Sequence, residues 1–387
     1  MALGMDVDEA LRLAVDRHRS GDLAGAETGY RAVLDEAEHP VALRNLAVLL
    51  ETTERTDEAR RLYGRWATLV PESAAVWQTL GNFHRFTGEL EAAERAYRRA
   101  MELDSSLRQV QADLGLVLLA EGRFAEGWPL YEQRPRRLRT AARRLSFPEW
   151  MGEPLAGKRL FVWSEQGYGD QIMMARFVRE LGAAHVTLTC APGLARLFAQ
   201  LPAEIVPLAE ELQAQAHDFW VLPMSIPAKL GVREATIPNA PYLTAPARPG
   251  GGIGVMARGN PAYAWDRSRS PPEAIRAELL ALPGAVSLEP GDTGAADFQD
   301  TAEIVAGLDL VVTSDTSVAH LAGALGKPTW LLLSDHGLDW RWMRGRADSP
   351  WYPSLTLYRQ PRAGDWAAVV AEVRRDLAQF TNAVPQD

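Results

Sequence analysis

An acid, two hydroxyls and a histidine, four side chains that can do chemistry, follow an apolar run in the segment SDTSVAH. The run 308–312 predicts a buried strand and residues 316–325 predict a helix, so the four side chains lie at a strand-to-helix turn. The free N–H groups at the start of a helix, with their partial positive charge, bind phosphate. Asp315 is expected to cap this helix, and His320, protonated or as a neutral N–H donor, lies one turn further on. The alternative is a capped and packed helix with a satisfied histidine. The candidate anion-binding residues of the turn are Asp315, Thr316, Ser317 and His320.

A second strand-to-helix turn carries two glycines and an acid in the segment FVWSEQGYGDQIMMARF. Residues 159–163 predict a strand, Gly167 and Gly169 predict a tight loop, and Asp170 is expected to begin the next helix. The alternative is that Asp170 only caps a helix after two flexible glycines.

The composition indicates an acidic globular protein. The 387 residues are 47% hydrophobic and carry a formal net charge of -9, which argues against nucleic acid or an anionic membrane as the main partner. No run approaches the ~18 apolar residues of a membrane span, and the first residues lack an apolar signal region, so a cytoplasmic protein is expected. Cys190 is the single cysteine, which excludes an intrachain disulfide and a cysteine-cluster zinc site.

Four small residues recur at a near-constant spacing in the first third of the chain. They lie 33, 34 and 34 residues apart, and an aromatic residue follows each of them after four positions. Glycine precedes three of them by five residues, where a turn between two helices is expected. The pattern resembles the tetratricopeptide repeat (TPR), which implies a helical superhelix whose concave face binds a protein or peptide. The small residues are Ala26, Ala59, Ala93 and Gly127, the aromatics are Tyr30, Tyr63, Tyr97 and Tyr131, and the glycines are Gly21, Gly88 and Gly122.

From about Lys158 onward, short apolar runs alternate with helical patterns. This alternation predicts parallel sheets covered by helices, in two doubly wound halves with a ligand cleft at the carboxyl ends of the strands. Strands are predicted at 159–163, 186–189, 204–207 and 219–222 in the first half, and at 253–256, 285–288, 308–312 and 329–333 in the second. The predicted domains are repeats over 1–137, a linker over 138–157, a first half over 158–247 and a second half over 248–387.

Seven segments within residues 147–366 together resemble bacterial proteins in which TPRs are fused to a GT-B glycosyltransferase region. Such regions are similar to lipopolysaccharide heptosyltransferases and, more distantly, to O-GlcNAc transferase. The segments are FPEWMGEPLAGK, EQGYGD, GNPAYAWDRSRS, SDTSVAHLAGALGKPTWLLL, DWRW, DSPWYPSL and RQPRAGDW. The resemblance implies a GT-B fold of two Rossmann-like halves, with a nucleotide-sugar donor held mainly by the second half and an acceptor facing the first. It also implies that no cofactor and no metal are used. In agreement, the seven histidines are not clustered at ligand spacing, and no Asp-x-Asp motif occurs in the α/β region.

The resemblance also assigns roles to individual residues. The acid of the first glycine loop acts as the base that takes the proton from an acceptor hydroxyl, which maps onto Asp170, with Glu165 as a second candidate. Transfer is then a single displacement that inverts the anomeric carbon. The diphosphate is stabilised by the two turns and by one arginine of GNPAYAWDRSRS, where Arg269 leads, followed by Arg267 and Arg258. The donor-binding candidates are Gly167, Gly169, Arg269, Arg267, Arg258, Asp315, Thr316, Ser317 and His320.

Three functions fit these features. The first is a glycosyltransferase that modifies a protein acceptor presented by the repeats. The second is a glycosyltransferase for a lipid-linked or oligosaccharide acceptor, in which the repeats serve only complex formation. The third is a non-catalytic scaffold that keeps the nucleotide pocket as a relic of the fold. The asparagine ladder with which O-GlcNAc transferases read peptides is essentially absent, because the equivalent positions hold Arg12, Asn45, Thr79 and Asp113.

Overall fold

A computed structural model of the protein describes residues 6–135, 145–183, 185–208, 216–260, 266–337 and 339–383. Contacts divide the chain into two compact units, one formed by Met1–His84 with Glu91–Val110 and the other by Arg85–Leu90 with Gln111–Asp387. The domain boundaries at residues 137, 157 and 247 stay predictions.

Consecutive helices joined by short turns form the first part of the chain. Three of these turns contain the predicted glycines, and each glycine adopts the left-handed conformation, with φ of 84° at Gly21, 77° at Gly88 and 76° at Gly122. Glycine has no Cβ to oppose this conformation, which ends the preceding helix. The helices are α1 Val7–Ser20, α2 Leu23–Glu36, α3 Pro40–Thr52, α4 Thr56–Leu69, α5 Ala74–Phe86, α6 Leu90–Leu103, α7 Arg108–Ala120 and α8 Phe124–Tyr131.

Small residues at the predicted positions allow the helices of the first unit to pack closely. Ala26, Ala59 and Ala93 are completely buried. The need for a small residue is clearest at Gly81, where a Cβ would lie 2.4 Å from the ring of Tyr97. These buried small and aromatic residues recur with the repeat, which confirms a TPR-like helical array at the N-terminal end. Helix α8 and nearly all of α7 belong to the second unit.

The second unit contains two parallel sheets. The first has the strand order β3-β2-β1-β4 and the second β6-β5-β7-β8-β9, and every pairing between these strands is parallel. Parallel neighbours require crossover connections, and α-helices lie in most of the connections between consecutive strands. The strands are β1 Arg159–Val162, β2 His185–Cys190, β3 Glu204–Pro207, β4 Phe219–Val221, β5 Ile253–Met256, β6 Ala285–Ser287, β7 Leu310–Ser314, β8 Thr329–Leu333 and β9 Leu355–Arg359. The helices are α9 Tyr168–Ala175, α10 Ala195–Phe198, α11 Ile226–Lys229, α12 Asp266–Arg269, α13 Glu273–Leu280, α14 Pro290–Thr293, α15 Phe298–Ala306, α16 Ser317–Ala324 and α17 Trp366–Ala383.

The second sheet is buried on both faces, as the alternation of its residues shows. Leu310 and Val312 of β7 pack with α17 in one apolar cluster. Val311, between them in sequence, packs with α15 and α16 in another cluster on the opposite face. Because both faces are covered, the strand reads as a continuous apolar run.

The sequence prediction was wrong about two details of this sheet. Strand β9 was not predicted, and β7 lies two residues later than the predicted 308–312. The pattern of β9 is weak because Thr356 is exposed while its neighbours are buried. The shift of β7 arises because Leu308 still belongs to the turn after α15, where its N–H donates to the carbonyl of Val305 at 3.2 Å.

Ion pairs and hydrogen bonds also join the part of the chain that carries the first sheet to the part that carries the second. Arg196 of α10 lies 3.0 Å from Asp297, the N-cap of α15, and 3.2 Å from Asp300, which lies within that helix. Arg196 is 57% exposed, so this contact lies at the surface.

Candidate functional site

A cleft of about 780 Å³ lies at the carboxyl ends of strands from both sheets. The loop after β1 borders it on one side, and the turns after β5, β6 and β7 border it on the other. This is the position at which parallel α/β sheets bind ligands. The cleft brings together most of the predicted site residues, namely Gly167, Gly169, Asp170, Arg258, Arg269, Asp315, Thr316, Ser317 and His320.

Asp170 is held at the start of helix α9. The helix begins at Tyr168, with Gly167 as its N-cap, so Asp170 is its third residue and not its first. One carboxylate oxygen of Asp170 accepts a hydrogen bond from the backbone N–H of Gly167 at 3.0 Å. The other accepts from the guanidinium of Arg341. The carboxylate is therefore fixed in orientation by two donors, near the positive end of a helix dipole.

Gly169 allows the two helix starts to approach each other. A Cβ at this position would lie 2.7 Å from Cδ2 of His320 and 3.4 Å from Cα of Ser317. A real Cβ does not come so close to another carbon, so any other residue would push the glycine loop away from α16. The backbone at Gly169 thus lies close to the imidazole of His320.

Thr316, and not Asp315, caps helix α16. The Thr316 hydroxyl accepts a hydrogen bond from the N–H of Val318 at 3.3 Å, so the prediction for Asp315 was wrong. The reason is that β7 continues to Ser314 and delays the helix to Ser317. Asp315 instead borders the cleft, where burial and the nearby carboxylate of Asp339 raise its pKa to about 7.

His320 is buried beside the cleft as a neutral imidazole. Its Nδ1 lies 3.0 Å from the hydroxyl of Tyr352, and its ring stacks on Trp342 with 5.2 Å between centroids. Burial lowers its pKa well below the ordinary value, and the charges of Arg341, Arg176 and Arg269 lower it further. Of the two forms considered from sequence, the neutral N–H donor is the one favoured near neutral pH.

Arg269 is the predicted arginine that reaches the helix end. It donates to the backbone carbonyl of Asp315 at 2.8 Å and to the carboxylate of Asp266 at 3.0 Å. Arg258 also borders the cleft, but it is half exposed and pairs with Glu273 at 2.7 Å. The side chain of Arg267 lies outside the described part of the structure.

Glu165 does not belong to the cleft lining. It is buried, and its carboxylate accepts from Arg134 at 2.6 Å and from the N–H of Met224 at 3.2 Å. Burial raises the pKa of Glu165, whereas the charge of Arg134 opposes that shift. The structure therefore gives this acid a buried ion pair and not a position facing a ligand.

Arg341 is a cleft residue that the sequence interpretation missed. It is buried, and it donates to both carboxylate oxygens of Asp339, at 2.9 and 2.7 Å, as well as to Asp170. Burial opposes the charge of Arg341, but the carboxylates of Asp339 and Asp170 outweigh it and raise the pKa. The segment DWRW, in which Arg341 lies, was part of the resemblance. Its partner Asp170 is 171 residues away, so no local spacing signals the contact.

Glu289 also borders the cleft without having been singled out from sequence. It follows strand β6, and its carboxylate accepts from Arg276 at 2.5 Å. The signal that could have found it is its position, two residues after a strand whose neighbours also end at the cleft. Within the described residues, no group of three or more His, Cys, Asp and Glu side chains is arranged to hold a metal ion. No described helix has both the length and the apolar character needed to cross a membrane.

No protein-family model matches the chain. Protein FlbA of Caulobacter vibrioides is 26% identical in an alignment 434 positions long, gaps included, which covers 87% of this chain and 72% of that protein. Among solved structures, MamA aligns with 34% of this chain and 73% of its own, at 22% identity and a TM-score of 0.32. YrrB, described as a TPR protein with an unusual peptide-binding site, aligns with 34% of this chain and 69% of its own, at 17% identity and a TM-score of 0.32.

Proposed function

We propose that the protein is a metal-independent inverting glycosyltransferase of the GT-B fold, which moves a sugar from a nucleotide-sugar donor to a protein acceptor. The observation that supports this most directly is the cleft, which is lined by Asp170, the start of helix α16 and three arginines. A base and an anion-binding surface are what transfer from a diphosphate leaving group requires.

In this proposal the diphosphate binds at the start of α16. Backbone N–H groups there and the Thr316 and Ser317 hydroxyls supply hydrogen bonds. Arg269, fixed against the Asp315 carbonyl, supplies a planar charge that matches phosphate oxygens. Glu289 follows strand β6, at the edge where carboxylates bind ribose hydroxyls in doubly wound folds, so we assign the nucleoside to that side.

Asp170 is assigned as the base. A carboxylate has about four lone-pair sites, so the bonds from Gly167 and Arg341 orient Asp170 and still leave it able to accept a proton. The acceptor oxygen attacks the anomeric carbon as Asp170 takes its proton. The bond from that carbon to the diphosphate breaks, and the electron pair leaves with the diphosphate. Attack from the opposite side inverts the anomeric carbon.

The TPR-like array is assigned to the protein acceptor. Such arrays present an extended surface and gain affinity from many weak contacts. Arg12 and Thr79 in place of ladder asparagines mean that the acceptor would be bound by other contacts than peptide-backbone amides.

The first test is a binding screen of the full-length protein against UDP, ADP, GDP, CMP and dTDP sugars, by thermal shift and calorimetry, with and without EDTA. A ligand that binds only the folded state raises its melting temperature by mass action. We expect one nucleotide sugar to bind, equally well in EDTA. Binding of none of them would reject the donor site.

A non-catalytic scaffold is the second candidate, and one observation favours it. The contacts of Asp170 with Gly167 and Arg341 are also those of a purely structural helix cap and ion pair. A measurement of turnover distinguishes the transferase from the scaffold. A scaffold would bind a partner, and even a nucleotide, without releasing nucleoside diphosphate, whereas the transferase releases one diphosphate for each sugar transferred.

A further inference from the structure

The cleft-side histidine has a buried tyrosine behind it that the proposed mechanism does not use. The Tyr352 hydroxyl lies 3.0 Å from Nδ1 of His320, and both residues are buried. Trp342 stacks on the other side of the imidazole, with an interplanar angle of 26°. The ring is therefore held in one orientation, with Nδ1 toward the protein interior.

The opposite edge of the ring borders the glycine loop. A Cβ at Gly169 would lie 2.7 Å from Cδ2 and 3.5 Å from Nε2 of His320. Nε2 is thus the nitrogen on the cleft side, and its proton decides whether a ligand meets a donor or a lone pair.

We infer that Tyr352 holds His320 as the neutral tautomer with its proton on Nε2, so that a nitrogen donor faces the cleft. A phenol is a better hydrogen-bond donor than acceptor, so the hydroxyl donates to Nδ1 and leaves the imidazole proton on Nε2. The Tyr242 hydroxyl donates to the carbonyl of Ile172 at 2.8 Å, so toward Tyr352 its oxygen can only accept. An imidazole nitrogen is a stronger acceptor than a phenol oxygen, so the Tyr352 hydrogen goes to Nδ1 of His320 rather than to Tyr242. Tyr352 is then a positioning residue, which acts through His320.

The charges around the pair agree with this assignment. The guanidinium of Arg176 lies 4.4 Å from the centroid of the Tyr352 ring, and it is buried. Arg176, Arg341 and Arg269 all disfavour a charged imidazole. Burial also raises the pKa of Tyr352 well above its ordinary value, so the phenol keeps the hydrogen that it donates. A neutral donor suits an anion site that already contains arginines, because it adds a hydrogen bond without further like charge.

The test uses full-length protein with ¹⁵N-labelled histidine and long-range ¹H–¹⁵N correlation spectra, in which the two tautomers differ. His320→Gln identifies the His320 signals. We expect Nε2 protonated and Nδ1 unprotonated from pH 6 to 8 in the native protein, and loss of that single pattern in Tyr352→Phe. Tyr358→Phe is the control, because its hydroxyl bonds to Asp376 away from the cleft. A native spectrum with the proton on Nδ1 overturns the inference, even if Tyr352→Phe does not fold. An unchanged His320 pattern in a folded Tyr352→Phe also overturns it.

A hydrogen bond from Nε2 of His320 to a phosphate rests on the proposed function. The binding of pyrophosphate at pH 8 tests this contact separately. Tyr352→Phe should weaken pyrophosphate binding about tenfold, the scale of one hydrogen bond to a charged group. Equal affinity in Tyr352→Phe and the native protein would overturn the link between tautomer and anion. Failure of the native protein to bind pyrophosphate would reject the proposed phosphate site and leave the tautomer to the spectra alone.

Discussion

Arg341 donates a hydrogen bond to Asp170 and so joins the turn after β8 to the start of α9. The same guanidinium binds both oxygens of Asp339. A buried arginine between two carboxylates fixes both of them, and removing either partner leaves an uncompensated charge. The contact places the proposed base beside the proposed diphosphate site. Asp339, the other partner of Arg341, lies close enough to Asp315, at the edge of helix α16, to raise its pKa.

Asp170→Asn should abolish turnover and retain nucleotide-sugar binding. The amide can still accept from Gly167 but cannot take a proton, so the rate constant of transfer should fall at least ~100-fold. The measurement is nucleoside diphosphate release alongside calorimetric binding. Asp22→Asn is the control, because Asp22 also accepts a capping bond, from Gly25, in the first unit. Undiminished transfer in Asp170→Asn would show that the base has been assigned wrongly.

Nucleotide-sugar affinity should decrease as the pH rises from 6 to 8. The pKa of Asp315 is raised to about 7, so its carboxyl is neutral at the lower pH and repels the diphosphate only at the higher pH. The two phosphates of a nucleotide sugar do not titrate in this range, which isolates the protein group. Asp315→Asn should remove most of the pH dependence, and calorimetry at pH 6, 7 and 8 measures it. A pH profile unchanged by the substitution would assign the effect to another group.

The raised pKa of Asp315 also makes the stability of the folded protein depend on pH. A carboxyl whose folded pKa lies above its unfolded value binds more protons when folded, so its contribution to the free energy of unfolding falls as pH rises from about 4 through 7. Asp315→Asn should therefore stabilise the protein more at pH 8 than at pH 5. Thermal melts at the two pH values compare the variant with the native chain, and a gain confined to pH 5 would contradict the raised pKa.

Gly169→Ala should destabilise the second unit, although alanine is normally the better residue in a helix. Its Cβ would meet Cδ2 of His320 at 2.7 Å, and forcing such a contact costs about 1–3 kcal/mol. Gly167→Ala is the matched control in the same loop. Its φ of -84° suits alanine, and the nearest atom to its Cβ would be an Asp170 oxygen at 3.6 Å. Urea unfolding of both variants measures the difference, and equal stability of the two would refute the close approach.

Gly81→Ala and Gly64→Ala should change stability in opposite directions. Both glycines lie inside helices of the array, α5 and α4. A Cβ at Gly81 would lie 2.4 Å from the Tyr97 ring, whereas a Cβ at Gly64 has no atom within 4 Å. Alanine at position 64 should therefore add about 0.5–1 kcal/mol through helix propensity, and alanine at 81 should lose stability. Thermal melts of both variants measure this, and stabilisation by both would argue against tight packing at Gly81.

The elements that the sequence predicted well are those coded by local pattern. Each of the eight predicted strands is present within two residues of its expected bounds, because a strand buried on both faces is an apolar run that turns interrupt. The glycine turns of the array were readable for a similar reason, since a left-handed residue after a helix favours glycine at that one position.

The features that the sequence did not predict depend on contacts between distant residues. Thr316 caps the helix in place of Asp315 because β7 ends at Ser314. The strand packs against helices on both of its faces, and these contacts fix where it ends. The burial of Glu165 follows from Arg134, 31 residues earlier. Neither fact changes the local pattern of acids and glycines. The structure brings most of the predicted residues to one cleft, but their types could not say which acids border it.

The second unit contains one exposed and one buried ion-pair contact between the part that carries the first sheet and the part that carries the second. The two contacts should respond differently to ionic strength. The pairs that Arg196 makes with Asp297 and Asp300 are exposed, and dissolved ions at 1 M screen charges beyond about 3 Å. The arginine that links Asp170 and Asp339 is 8% exposed and is shielded from those ions. Added salt should therefore weaken the contacts of Arg196 with Asp297 and Asp300, whereas the buried contact between Arg341 and Asp170 persists and keeps the two sides of the cleft joined at that point.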